Sequence, residues 1–217
     1  MDIVARTLPV STVGRYLVAP AEGPGPAPLL VGFHGYAQGA EGLLADLAAV
    51  PGAARWHRVS VLGLHRFYNT RTQEVVASWM TRLDREQAIA DNLAYARAVV
   101  AALRGELAVS GAPVFAGFSQ GASMAWRAAA AVPSRGVIAL GGDVPPDVAQ
   151  GGARLPPCLL GRGRDDTWYT QAKLDADLAA LAPLAERVQA VVFDGGHEWT
   201  DAFRQAAGGF LDGVGSR

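Results

Sequence analysis

Gly117-Phe118-Ser119-Gln120-Gly121 is where this sequence concentrates its chemistry. The five residues match G-x-S-x-G and stand between an apolar run, VFAGF at 114–118, and an alanine-rich segment, 120–131, closed by Pro133. A chain turning that tightly from strand to helix brings side chains two places either side of the serine into collision, so glycines are needed there. Such a turn lifts the Ser119 hydroxyl clear of the sheet. It also aims the positive end of the following helix at any oxyanion that develops. The chemistry is nucleophilic attack on an acyl carbon.

A serine hydroxyl is a weak nucleophile until a base takes its proton. His197 follows the last apolar run, in Asp194-Gly195-Gly196-His197, where small residues let the ring swing over the serine. His57 and His65 flank a middle strand and precede the serine; they read as surface or structural residues. The imidazole needs a carboxylate to hold its tautomer and balance its charge. On an elbow of this kind the chain order is serine, acid, histidine, and Asp143, Asp165 and Asp166 all satisfy it. Spacing favours Asp166, three residues after Gly163 in Arg162-Gly163-Arg164-Asp165-Asp166, with room for one helix and one strand before His197. Asp165 and Asp166 are also placed to cap a helix. The backbone N–H groups of Tyr36, in His34-Gly35-Tyr36-Ala37-Gln38-Gly39, and of Gln120 are the candidate oxyanion donors. His34 reads as a residue that shapes this loop by bonding backbone.

The elements that must position these groups alternate along the chain. Apolar runs at 29–34, 59–64, 114–118, 136–142, 158–163 and 188–195 read as buried strands. Helical segments fall at 40–50, 81–104, 120–131, 169–186 and 199–212. In the longest, Ile89, Leu93, Ala96, Val100 and Leu103 form one stripe. Residues 2–19 alternate weakly and read as a strand pair turning near Gly14, and 65–78 read as irregular. Continuous apolar strands between helices indicate a mainly parallel central sheet with helices on both faces.

Composition narrows the function classes. The 217 residues fit one domain, 1–217, with half the residues hydrophobic and 18% charged. A formal net charge of −1 leaves no basic excess for nucleic acid. The single cysteine, Cys158, rules out an internal disulfide, and no Cys/His cluster has metal-ligand spacing, so no metal is expected. Residues 1–10, MDIVARTLPV, have no apolar core of signal-peptide length, and no stretch is long enough to insert stably in a membrane. A cytoplasmic protein acting on a small-molecule substrate is expected, with a homodimer as the candidate assembly.

Together, F-H-G-Y at 33–36, S-W at 78–79, G-F-S-Q-G at 117–121, G-R-D-D at 163–166 and G-G-H at 195–197 resemble the phospholipase/carboxylesterase family of small α/β-hydrolases, which includes the acyl-protein thioesterases. The resemblance runs from about residue 29 to the C-terminus. It implies an α/β-hydrolase fold and cofactor-free hydrolysis of carboxylic esters, lysophospholipids or thioesters through a Ser119–Asp166–His197 triad. Many members read H-G-x-x-D at the acid, where this chain has Arg162, and H-G-x-G-D at the oxyanion loop, where it has His34-Gly35-Tyr36-Ala37-Gln38. The interval from Asp143 to Pro157 is too short for a cap domain. Residues 65–80, with Phe67, Tyr68 and Trp79, are the candidate cover, and Tyr36, Trp168, Tyr169 and Trp199 also adjoin motif residues. Aromatic rings beside a nucleophile suit an apolar acyl or aryl group, although Trp79 and Trp199 also fit the edge of a core. A serine peptidase for short peptides and a non-catalytic binding module on the same scaffold are the competing readings.

Overall fold

The computed structural model describes residues 3–215. The strands are β1 (Arg15–Ala19), β2 (Leu29–Phe33), β3 (His57–Leu62), β4 (His65–Tyr68), β5 (Val75–Ser78), β6 (Val114–Phe118), β7 (Gly136–Leu140), β8 (Cys158–Gly163) and β9 (Val188–Phe193). The helices are α1 (Ala40–Ala48), α2 (Arg85–Glu106), α3 (Gln120–Ala131), α4 (Pro146–Ala149), α5 (Gln171–Leu181) and α6 (Asp201–Gly215). Seven strands form one sheet in the order β1-β3-β2-β6-β7-β8-β9, with β1 antiparallel to β3 and all other pairs parallel.

Strand alternation sorts the core into two layers. Val31, Phe33, Phe115, Ala139 and Leu160 point to the layer closed by α2, α3 and α5, through residues such as Val100, Trp126 and Leu174. Leu30, Ala116, Phe118, Leu140 and Leu159 point to the other, closed by α1 and α6 through Leu47, Phe203 and Phe210. β2, β6 and β7 are buried along their whole length, which is why they read as unbroken apolar runs rather than alternating ones. The register pairs Phe33 with Gly117, Phe118 with Leu140, Leu140 with Gly161 and Gly163 with Phe193. Parallel strands in that register end together, so the loops after β2, β6, β7, β8 and β9 share one edge of the sheet.

α3 lies close against β2. A Cβ on Gly121 would fall well inside contact distance of the Phe33 carbonyl oxygen and 2.5 Å from that of His34. Backbone atoms cannot rotate away, so Gly121→Ala should cost about 3 kcal/mol, the upper end of overpacking. Urea denaturation checks this; a midpoint equal to wild type would refute the close-approach argument.

Four expectations change. The strand pair expected over 2–19 reduces to β1, antiparallel at the sheet edge; residue 2 lies outside the described residues, 3–14 form no regular element, and 3–13 are exposed. Ile3, Leu8 and Val10 meet no apolar face there, and Pro9 lacks a ladder donor. Residues 65–78, expected to be irregular, form a hairpin of β4 and β5. Its turn is built by Asn69, whose side-chain oxygen accepts the Arg71 and Thr72 amides at 3.0 and 3.2 Å. The α2 stripe is rotated: Ala88, Asn92, Ala96, Val99, Val100 and Leu103 are buried, while Ile89 and Leu93 are partly so. Asn92 is accommodated because its amide donates to the Trp79 and Ala88 carbonyls, both at 2.8 Å, and accepts the Leu64 N–H at 3.2 Å. α5 is shorter than expected and stops before Pro183, and only the four-residue α4 lies between β7 and β8. Among the described residues no helix is long and apolar enough to cross a membrane.

Candidate active site

Ser119 sits between β6 and α3 with φ 53° and ψ −119°, left-handed backbone that a non-glycine residue rarely adopts. The turn is held from outside: the Ser119 amide donates to the Leu140 carbonyl at 2.8 Å. Against the serine lies the loop after β7. A Cβ on Gly142 would collide with the Ser119 carbonyl oxygen, and one on Gly141 would sit 3.0 Å from His197 Cε1 and 3.4 Å from Asp166 Oδ2. Two glycines therefore separate the serine backbone from the histidine–aspartate pair, and larger residues would push them apart.

His197, on the loop after β9, stacks on Phe118 with ring centroids 4.8 Å apart. Its Nδ1 lies 2.7 Å from Asp166 Oδ2. The other Asp166 oxygen, Oδ1, accepts the Trp168 and Tyr169 amides at 2.8 and 2.9 Å. Burial by itself pushes the Asp166 carboxyl up, but the Tyr169 amide, the His197 ring and the Trp168 amide outweigh it and hold the carboxyl below the usual carboxylate range. An ionised acid fixed by three donors keeps the imidazole Nδ1–H pointed at it and leaves Nε2 free as a base. No hydrogen bond joins Ser119 Oγ to His197 Nε2. Such bonds are often long in a free enzyme and tighten around substrate.

The other two aspartates are engaged elsewhere. Asp165 is exposed, and it is its amide that is used, donating to the Gly195 carbonyl at 2.9 Å. Asp143 pairs with Lys173 at 3.2 Å. Arg162 is buried and clamps the loop after β8: its Nε donates to the Tyr169 carbonyl at 3.0 Å and a terminal nitrogen to the Arg164 carbonyl at 3.1 Å.

Neither the Tyr36 nor the Gln120 backbone N–H donates to a protein acceptor, so both remain available at this edge. The Tyr36 loop is braced on two sides. Ala37 donates to the Ala77 carbonyl and Ala77 to the Gln38 carbonyl, both at 3.0 Å, tying the loop to β5. His34, wholly buried, accepts the Gly63 amide on Nε2 at 3.0 Å and donates from Nδ1 to the Gly35 carbonyl at 2.7 Å. Burial pushes its pKa below the usual histidine value, and the bond to Gly35 offsets only part of this, so the ring stays neutral.

Sequence reasoning missed the Gln120 side chain. Its amide oxygen accepts the Trp79 backbone N–H at 2.9 Å and its nitrogen donates to the Met80 carbonyl at 3.0 Å, locking the segment after β5 to the Ser119 turn. Trp79 is wholly buried, its Nε1 donating to the His34 carbonyl at 2.7 Å, so it supports the Tyr36 loop from beneath and offers a ligand no surface. Tyr36 and Phe67 stack with centroids 5.7 Å apart and remain solvent-facing, as do Tyr68 and Trp168. Trp199 is half-buried and packs on Phe203 at 5.4 Å. Cys158 is buried at the start of β8, and burial pushes its thiol up to about 12, so it presents no thiolate.

The same arrangement of strands and helices occurs in solved structures. Esterase PE8 superposes with a TM-score of 0.72 at 23% identity, over 94% of this chain and 100% of that one. The carboxylesterase of Bacillus cereus gives 0.73 at 17% identity, over 93% and 94%. Acyl-protein thioesterase 2 of Zea mays gives 0.71 at 17% identity, over 93% and 99%. The chain has the α/β-hydrolase fold. No family model and no curated protein matches the sequence itself. In an α/β-hydrolase the carboxyl edge of the sheet is where ligands meet the chain, and it is the edge that carries Ser119, His197, Asp166 and the two free amides.

Proposed function

We propose that this α/β-hydrolase chain, 1–217, is a cofactor-free serine hydrolase that cleaves carboxylic esters. The observation that carries this reading is the 2.7 Å bond between His197 Nδ1 and a buried, multiply bonded Asp166, on the same sheet edge as the strained Ser119. Ser119 Oγ attacks the ester carbonyl as its proton passes to His197 Nε2. The oxyanion is received by the Tyr36 and Gln120 amides. The carbon–oxygen bond then breaks, the alcohol leaves with the proton from His197, and the acyl group stays on Ser119. Water, deprotonated by the same imidazole, releases the acid and restores the serine.

The named activities of the structural neighbours, esterase, carboxylesterase and acyl-protein thioesterase, favour esters and thioesters over amides. The exposed Tyr36–Phe67 pair favours an apolar acyl or aryl group lying on an open surface rather than in a deep tunnel.

A series of nitrophenyl esters from acetate to palmitate, run beside a lysophospholipid, an acyl-CoA and a dipeptide amide, tests the reading. Turnover of at least one ester or thioester, and labelling of Ser119 by a fluorophosphonate, are the expected results. Turnover confined to the amide would favour the peptidase, and no turnover with no labelling would favour a binding module.

A further inference from the structure

Asp177 lies on α5, is 7% exposed, and takes no part in the chemistry above. A single oxygen, Oδ2, accepts two hydrogen bonds, from the Tyr169 hydroxyl at 2.8 Å and from the Val144 amide at 3.1 Å. The donors belong to different loops. Tyr169, 1% exposed, closes the loop after β8; its own amide donates to Asp166 Oδ1 at 2.9 Å. Val144 belongs to the loop after β7, whose Gly141 and Gly142 separate the Ser119 backbone from His197. One carboxylate oxygen thus joins the loop that carries the acid to the loop that spaces serine from histidine.

Three titratable side chains face Asp177: Tyr169 from the acid loop, Asp143 from the β7 loop and Lys173 from its own helix, the last two paired with each other at 3.2 Å. Burial pushes the Asp177 carboxyl up to about 6, against the bonds from Tyr169 and Val144. An ion held in such a place at neutral pH lowers stability, as groups retained for activity often do.

We propose that Asp177 and Tyr169 form a positioning pair that holds the acid loop and the loop after β7 in register, so that His197 stays aligned between Asp166 and Ser119. The role rests on the serine-hydrolase reading. A misplacement of the order of an ångström at a reacting centre can cost about 100-fold in rate, and loss of one tie should cost part of that.

The test measures kcat, KM and thermal stability for Tyr169→Phe, Asp177→Ala, Asp177→Asn and the Phe/Ala double variant, with the nitrophenyl ester that wild type turns over best. Tyr169→Phe and Asp177→Ala should each lower kcat about tenfold with KM within about twofold. The double variant should be no slower than the slower single one, because both break one tie. Asp177→Asn keeps an oxygen able to accept both bonds, so it should recover most of the kcat that alanine loses. It should also raise the Tm by a few degrees at pH 7.5.

The folded carboxyl titrates above its unfolded value, so wild-type stability falls as pH rises from about 4 to about 6. The asparagine does not titrate there, and its advantage should therefore vanish at pH 4. Should Asp177→Ala fail to fold, Tyr169→Phe, which removes one oxygen, carries the same test. The proposal fails if the variants of an active wild type keep kcat within twofold, or if asparagine recovers nothing. A wild type that turns over no ester removes the hydrolase reading, and the positioning role with it.

Discussion

Ser119→Ala should lower ester turnover by three or more orders of magnitude, roughly the effect of losing the nucleophile of a triad. The hydroxyl accepts and donates no hydrogen bond in the free protein, so removing it leaves no partner stranded. The strained backbone at φ 53° is held by the bond to Leu140 and by the glycines around it, none of which uses the side chain. Alanine tolerates that backbone no worse than serine, and the Tm should stay within about 2 °C, less than the shift for 1 kcal/mol in a chain of this size. Burst and steady-state assays with a nitrophenyl ester read the effect. A variant retaining more than a tenth of wild-type activity would place the nucleophile elsewhere.

Asp166→Asn should cut turnover by roughly 10⁴-fold, the loss that follows when an amide leaves the imidazole in the wrong tautomer. Asp166 Oδ2 has only the His197 ring to accept from, and Oδ1 already takes two amides. An asparagine that keeps its oxygen toward those amides must turn its NH₂ on Nδ1, which forces Nδ1 to accept and puts the proton on Nε2, where no base is then left for Ser119. Asp165→Asn and Asp143→Asn should each change turnover by less than about tenfold, since neither carboxylate reaches the imidazole. Equal losses for Asp166 and Asp143 variants would sink the assignment.

The same substitution has a stability signature. The folded Asp166 carboxyl titrates below its unfolded value, so its contribution is complete above about pH 4 and is lost as pH falls through the folded value. Wild type and Asp166→Asn should therefore differ most in urea midpoint near neutrality and converge in acid.

Elements specified by local signals were legible from the residues alone. The β6–Ser119–α3 turn follows from an apolar run, two glycines and an alanine-rich helix, all within twenty residues, and β6 and α3 fall on their expected bounds. The hairpin at 65–78 was not legible, because its polar turn is ordered by the Asn69 side chain and its β5 strand by bonds to the loop after β2. Asn92 was hidden for a related reason. A polar residue on a buried helix face is satisfied here by the Trp79 carbonyl and the Leu64 N–H, both far off in sequence.

By itself the sequence determined the class of fold, the turn that presents Ser119 and the short list of histidines and aspartates able to serve it, because periodicity, glycine placement and chain order act over neighbouring residues. Spacing favoured Asp166 without excluding Asp143 or Asp165; tertiary structure decided that Asp166 is the one that meets His197, that Trp79 is a buried brace, and that Arg162 clamps the loop from which Asp166 projects. Those outcomes depend on β8 lying between β7 and β9, a pairing of segments tens of residues apart that sets which loops end side by side. A carboxylate's choice of partner is then a matter of ångströms across that edge, which no local pattern encodes.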